Sequence, residues 1–256
     1  MTQGNYSITK KAEIGKNIFD FTIHCPEIAK EAVAGQFVHI KVEGFFLRRP
    51  ISICEIDKTQ GTIRIVFEIK GDGTKSLSEL EETAKMDVIG PLGNNFTLLD
   101  KSKKIIVVGG GIGVPPMLET AKPYGENATA IIGFRNSDAV VLKDDFVKYG
   151  SDVMLCTDDG SEGIHGYVTT ALEQRLAKGT ADIIYACGPE PMLKGIAKIA
   201  KENGIRCEIS MEERMACGVG ACLVCACKTV KDGEEIFSHV CKDGPIFSNE
   251  QLIMND

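Results

Sequence analysis

The chain has 256 residues, of which 43% are hydrophobic and 25% charged, with a formal net charge of −7 and no tryptophan. That balance suits one to three domains with a substantial core, and it argues against a nucleic-acid binder, which needs a basic face and stacking aromatics. There is no run of about 18 apolar residues and the opening MTQGNYSITKKAEIG lacks the layout of a secretion signal, so a cytoplasmic location is expected.

From Tyr6 to about Leu99 the sequence alternates in short β-branched segments, FDFTIHC, QFVHIKV, RPISICEI, TIRIVFEI and MDVIGPLG, separated by Gly, Pro and Asp. Such spacing predicts a small antiparallel barrel or sandwich over residues 1–100. Two stretches in it have binding potential. LRRPISI puts Arg49, Pro50, Ile51 and Ser52 on a strand, and GDGTKSLSEL sets Gly71, Gly73 and Thr74 before a helix, a plausible seat for a pyrophosphate with Arg49 as countercharge. Taken alone, a strand arginine is a surface charge and Gly-Asp-Gly a turn.

Beyond Asp100 buried-strand runs, KKIIVVGG, ATAIIGF, SDVMLCT and ADIIYACG, alternate with helical stretches such as GYVTTALEQRLAKG and PEPMLKGIAKIAKENG. This predicts a parallel sheet covered by helices over residues 101–208, with Gly179 and Gly204 as helix C-caps. VVGGGIGVPPM turns from a strand through Gly109, Gly110, Gly111 and Gly113 into a helix starting at Pro115 or Pro116. A nucleotide fits there, although Val114 stands where the dinucleotide fingerprint has its third glycine. Cys187, Gly188 and Pro189 end another strand on the same edge, as do Asp158 and Asp159 of TDDGSEGIHG. The two acids either solvate a turn or accept from a ribose, and in the second case they disfavour a 2′-phosphate and select NAD over NADP.

Residues 209–256 are poor in helix and rich in Cys and Gly. Ten cysteines in a reducing compartment point to metal or redox chemistry rather than disulfides. Cys217, Cys222 and Cys225 follow C-x4-C-x2-C spacing, that of plant-type [2Fe–2S] ferredoxins, with Gly218 and Gly220 allowing a loop to wrap the cluster. Cys241 is the expected fourth ligand and Cys227 the alternative. Four thiolates also suit structural zinc, but zinc sites usually come as two separated C-x2-C pairs. The remaining cysteines, Cys25, Cys54, Cys156, Cys187, Cys207 and Cys227, read as structural, although Cys187 lies where a nicotinamide would approach. The histidines, His24, His39, His165 and His239, form no catalytic constellation and read as packing or surface residues. Glu212, Glu213 and Arg214 make either a partner contact or a solvated turn.

The ordered set RPIS, GDGT, PLGNNF, VVGGGIG, TDDGS, CGPEPM and MEERMACGVGACLVC…VCKDGPIF resembles, over nearly the whole chain, the electron-transfer subunits of NAD-dependent (type B) dihydroorotate dehydrogenase, within the ferredoxin–NADP reductase superfamily. The resemblance implies three parts: an antiparallel β-barrel flavin domain, an α/β parallel-sheet nucleotide domain and a small C-terminal [2Fe–2S] domain. It implies FAD held by Arg49, Pro50, Ile51 and Ser52, lined by Val66, Phe67 and Glu68 and gripped at its pyrophosphate by Gly73 and Thr74. It implies NAD near Gly110, Gly111, Gly113, Asp158, Asp159, Cys187, Gly188 and Pro189, and Cys217, Cys222, Cys225 and Cys241 as cluster ligands.

Three positions depart from the superfamily. Ile51 replaces a flavin-stacking tyrosine, Glu68 stands where many relatives carry arginine, and the terminal aromatic over the flavin is replaced by chain continuing into the cysteine unit. The implied partner is an FMN-containing dihydroorotate-oxidising subunit, in a heterotetramer with two of each chain, acting in pyrimidine biosynthesis. No substrate-oxidising residue is expected in this chain, since flavin and cluster carry the electrons while the protein sets position and potential. Two other readings remain. One is a related flavin and iron–sulfur subunit of a hydrogenase, sulfide dehydrogenase or bifurcating reductase, and the other a zinc-stabilised nucleotide-binding regulator.

Overall fold

The computed structural model describes residues 1–253. Its first part is a closed barrel of β1 (Thr2–Gly15), β2 (Ile18–His24), β3 (Phe37–Ile40), β4 (Arg49–Asp57), β5 (Thr62–Glu68) and β6 (Lys85–Leu92), in the order β1-β2-β5-β4-β3-β6. Closure leaves no sheet edge to protect. Ile8, Phe21, Ile23, Val38, Ile40, Ile53, Ile63, Ile65, Phe67 and Val88 fill the interior, where Phe21 meets Phe67 edge-on at 5.2 Å between ring centroids. Helix α1 (Pro26–Glu31) adds Ile28 and Ala29 to this core, and α2 (Asp72–Ser78) adds Leu77.

The second part is a parallel sheet. Its strands are β7 (Ile105–Gly110), β8 (Ala128–Phe134), β9 (Asp152–Thr157), the short β10 (Ile164–His165), β11 (Ile183–Cys187) and β12 (Arg206–Ser210). Along β7 the side chains divide between two cores. Ile105 and Val107 pack with Met117, Leu118 and Ala121 of α3 (Pro115–Ala121) and Phe146 of α4 (Lys143–Lys148). Ile106 and Val108 pack with α5 (Val168–Leu176) and α6 (Glu190–Glu202), whose Leu193, Ile196, Ile199 and Ala200 recur at helical spacing. A strand apolar on both sides is what a two-faced parallel sheet demands.

Strand order is β10-β9-β8-β7-β11-β12, so the winding direction reverses between β7 and β11. Ligands of open α/β sheets collect at the carboxyl end of such a switch point. Gly179 and Gly204 close α5 and α6 with positive φ of 145° and 64°. Cys54 of β4 and Val66 of β5 belong to the same core as α3, so the barrel and the sheet share an apolar joint.

After β12 the chain leaves the sheet, forms the hairpin β13 (Ala226–Lys231) and β14 (Glu234–His239), then returns as β15 (Ile246–Ser248), antiparallel to β12. Asp232 and Gly233 turn the hairpin, both with positive φ, 54° and 84°, as a two-residue type I′ turn requires. The expected boundary between 208 and 209 thus falls inside β12, and the last strand belongs to the nucleotide sheet. Asn94 of PLGNNF ties this segment to the barrel. Its amide donates to the carbonyls of Asp243 (2.9 Å) and Ile246 (2.8 Å), and its Oδ1 accepts from the Ile246 amide at 2.9 Å.

Candidate functional site

One cleft runs along the mouth of the barrel. It is lined by Phe37, Arg49 to Ser52, Val66 to Glu68, Lys70 and Thr74 on the barrel side, and by Ile112, Ser210 to Glu213, Met215 and Pro245 opposite. The expected flavin residues therefore share one wall, brought together because β4 and β5 are adjacent strands. Gly73 lies just behind that wall, beneath Arg49. A Cβ at position 73 would fall inside the Arg49 guanidinium, so glycine is what lets the arginine rest on the first turn of α2. Arg49 also stacks over Phe45 at 5.0 Å from the ring centroid.

The Thr74 hydroxyl is engaged with its own turn. It accepts from the amides of Lys70 (2.9 Å) and Gly71 (3.2 Å) and donates to the Gly71 carbonyl (3.0 Å). Its contribution is to shape the loop under the cleft. Ile51 and Glu68 both face the cleft, and Met211 and Met215, outside the expected set, supply apolar atoms to its opposite wall. The quoted segment MEERMAC contains both methionines, but spacing alone did not show which way they face.

The nucleotide edge is tight. Any side chain on Gly113 would collide with the Cys187 carbonyl, and one on Gly110 would press on Met192 and Pro189. Gly111, with φ of 55°, opens onto free space. Cys187 is buried, and burial, assisted by the charge of Glu212, pushes its thiol up to about 12. It is an uncharged thiol rather than a nucleophile. The two expected acids differ. Asp159 Oδ1 accepts from the amide (2.9 Å) and hydroxyl (2.6 Å) of Ser161, which hold its carboxyl below the ordinary range. Asp158 is exposed at the end of β9, where its amide donates to the Phe134 carbonyl at 3.0 Å and its carboxylate has no hydrogen-bond partner among the described residues.

The cysteine loop lies against the outside of the barrel. Gly218 and Gly220 have φ of 72° and 78°, conformations that L side chains rarely adopt, and they turn the intervening amides inward. Val219, Ala221 and Cys222 donate to Cys217 Sγ at 3.5, 3.2 and 3.4 Å, and Gly220 donates to Cys241 Sγ at 3.1 Å. Burial works against a Cys217 thiolate, yet these donors bring its thiol down to about 6. Burial pushes Cys241 up to about 12.

The four sulfurs form two pairs, Cys217 with Cys222 at 3.4 Å and Cys225 with Cys241 at 3.3 Å. Four thiolates on one zinc ion would all lie within about 3.8 Å of one another, given Zn–S bonds of about 2.3 Å. Among the described residues no three donors converge in that way. Two pairs are the division that a two-iron cluster with four thiolates takes. Cys227 joins neither pair and packs in the seat beneath.

That seat consists of Phe37, Leu92, Val240 and Phe247 around Cys225 and Cys241. Phe37 and His39 face outward from β3, whose Val38 and Ile40 face the barrel core. His39 is fully buried against Gly218, and burial together with Arg48 holds its imidazole down to about 4. Reading the histidines singly in the sequence could not reveal this placement, because the contact joins residues far apart in the chain.

A sequence profile of the iron–sulfur cluster binding domain of dihydroorotate dehydrogenase B matches residues 212–253. The dihydroorotate dehydrogenase B (NAD(+)) electron transfer subunit of Streptococcus mutans is 42% identical over 260 residues, 98% of each chain. That of Geobacillus sp. (strain WCH70) is 36% identical over 262 residues, covering 99% of this chain and 100% of its own. Among solved structures, that of an NADH-dependent reduced ferredoxin-NADP oxidoreductase, described in connection with flavin-based electron bifurcation, superposes with a TM-score of 0.86 at 32% identity. It covers 98% of this chain and 90% of the other. Phthalate dioxygenase reductase, at 19% identity and a TM-score of 0.63 over 94% of this chain and 77% of its own, shares the fold. With a barrel, a parallel sheet and a cysteine loop in this order, and with relatives of this identity along its whole length, the chain belongs to the family of dihydroorotate dehydrogenase B (NAD(+)) electron transfer subunits.

Proposed function

We propose that the chain carries electrons between a dihydroorotate-oxidising partner and NAD, with FAD in the barrel cleft and a [2Fe–2S] cluster in the cysteine loop. The observation that carries the reading is the placement of two thiol pairs on the outer face of β3 while Phe37 of the same strand lines the cleft. A flavin accepts two electrons from or gives them to a nicotinamide and exchanges them singly with a cluster.

The residues of this chain do the holding. Arg49, resting on Gly73 above the turn shaped by Thr74, answers the phosphates, and Pro50 to Ser52 with Val66 to Glu68 form the wall for the flavin ring. Cys217, Cys222, Cys225 and Cys241 would hold the cluster, approaching it as the two thiol pairs. Gly111 leaves room for the nicotinamide nucleotide, while Gly110 and Gly113 let the turn after β7 pack directly against Cys187, Gly188 and Pro189, the opposite side of the same edge. Asp158, free where Asp159 is committed to Ser161, is the carboxylate for the ribose.

The partner is an FMN-containing subunit, two copies of each chain making the complex in the cytoplasm. Val219, Leu223 and Val224 on the cysteine loop and Phe237 on the hairpin are exposed apolar residues, a grouping that suits burial under another chain. None of the described helices is long and apolar enough to cross a membrane, and all ten cysteines are free.

The test is anaerobic titration of the purified complex. Dihydroorotate or NADH is expected to bleach the flavin absorbance and raise the paramagnetic signal of a reduced two-iron cluster. A complex that responds to NADH but never to dihydroorotate would favour a different redox partner, the second reading that the 32% identical bifurcation-linked structure supports.

A further inference from the structure

Strand β3 carries a polar residue at a position sealed from solvent. His39 is 0% exposed, pairs with Pro50 of β4 and Ile89 of β6, and has no hydrogen-bond partner on either ring nitrogen. An imidazole in any protonation state has at least one N–H to donate. Buried donors left without acceptors are rare in native proteins and call for an explanation.

The pleat of β3 turns Val38 and Ile40 inward and aims the His39 ring at the cysteine unit. Gly218, which follows Cys217, lies so close that any side chain there would overlap Nδ1. The Arg48 guanidinium offers no acceptor and donates to the main-chain oxygens of His39 (3.3 Å) and Asp87 (3.1 Å) and to the Asp87 carboxylate (2.7 Å), while the main-chain groups of Arg48 and Cys217 beside the ring make no well-aligned hydrogen bond to it. The ring therefore faces the cysteine loop without a well-made hydrogen bond on either nitrogen.

We propose that His39 is a positioning residue for the iron–sulfur cluster: a ring N–H reaches from the barrel into the sulfur shell at Cys217 and makes the cluster easier to reduce. It would join the amides of Val219, Ala221 and Cys222, which already donate to that sulfur. Hydrogen bonds to cluster sulfurs are one of the means by which a protein sets the potential, because the added electron increases the negative charge that such donors stabilise. This inference rests on the two-iron reading above.

The experiment uses the whole complex labelled with 15N-histidine, in wild type, His39→Gln, His39→Leu and, as a control for the other histidine near the loop, His239→Gln. Pulsed paramagnetic resonance of the reduced cluster is expected to show a weak 15N coupling that His39→Gln abolishes and His239→Gln retains. In redox titration, His39→Leu is expected to shift the reduced-to-oxidised ratio of the cluster about tenfold toward oxidised at a given potential, about 59 mV for a one-electron couple. The flavin potential should stay in place, and the amide donor of His39→Gln should recover most of the shift.

Full iron and sulfide in His39→Leu with an unmoved cluster potential would overturn the proposal, as would a 15N coupling that survives His39→Gln. If the leucine variant fails to assemble, the coupling measured in wild type and His39→Gln decides. A wild-type complex without any cluster signal would overturn the two-iron reading itself, a result distinct from the others, and this proposal with it.

Discussion

Replacing Arg64 with Met tests the joint between the barrel and the sheet. Arg64, on β5, is 18% exposed and donates to both oxygens of Asp20 at 2.8 to 3.0 Å, to Asp145 of α4 at 2.7 Å and to Glu55 at 3.5 Å. The three carboxylates lose unequally when it goes. Glu55 keeps Lys122 at 3.0 Å and the Tyr149 hydroxyl, and Asp145 is 28% exposed and can be solvated. Asp20, with a side chain 8% exposed, has both oxygens bonded to Arg64 and is stranded.

Removing one partner of a buried pair costs about 3–5 kcal/mol, and with one carboxylate of three fully stranded the lower figure, about 3 kcal/mol, is expected. For a chain of this size that is a fall in Tm of roughly 6–12 °C. Melting should be followed at pH 7 with saturating FAD, since altered cofactor binding would itself move Tm. Asp145→Asn, at a partly solvated pair, should cost about 1 kcal/mol or less, and Asp20→Asn combined with Arg64→Met should recover most of the loss. An Arg64→Met protein melting with wild type, or a double variant no better than the single one, would refute this account of the joint.

Three further outcomes are expected. Cys222→Ala should lose iron and sulfide and uncouple NADH oxidation from the partner, whereas Cys227→Ala should keep its cluster; iron analysis and the visible spectrum distinguish them. Gly73→Ala should push Arg49 off the turn of α2 and weaken FAD binding about 10–100-fold, the worth of one charge-assisted hydrogen bond, read by flavin titration of the apoprotein.

The third outcome concerns acid. Burial opposes the Glu55 carboxylate, but hydrogen bonds from Tyr149 and Lys122 hold it below its ordinary 4.5. Its stabilisation is complete above that value and is lost as pH falls below 4.5 toward its folded value, so Tm should drop there in wild type and drop less steeply in Glu55→Gln.

Much of this architecture was legible in the residues. Five barrel strands, four sheet strands, both long helices and the cysteine loop follow from period-two alternation, apolar runs and the spacing of thiols. The strand β1 was hidden because its register shifts between Ile8 and Lys10 and again between Glu13 and Gly15, which breaks the alternation that marks a strand. Hairpin β13–β14 carries its signal in Asp232-Gly233, but Lys228 and Lys231 on one arm and Glu234 and Glu235 on the other obscure the strands around it. The pairing of β15 with β12 across 35 intervening residues has no local signature, so the return of the chain to the nucleotide sheet is not legible in the sequence. The same holds for the site. Motifs named residues that the fold gathers at the barrel cleft, the sheet edge and the cysteine loop, but Phe37, Asn94, Met211 and His39 reach those places through long-range packing that no window of sequence contains.

The four residues of β3 have a mechanical consequence. Val38 and Ile40 are embedded in the barrel while Phe37 and His39 support the cysteine loop, and Asn94 and Pro245 lock the return of the chain on the neighbouring strand end. The spacing between the barrel cleft and the cysteine loop is thereby fixed at the moment of folding, like two contacts soldered to one rail.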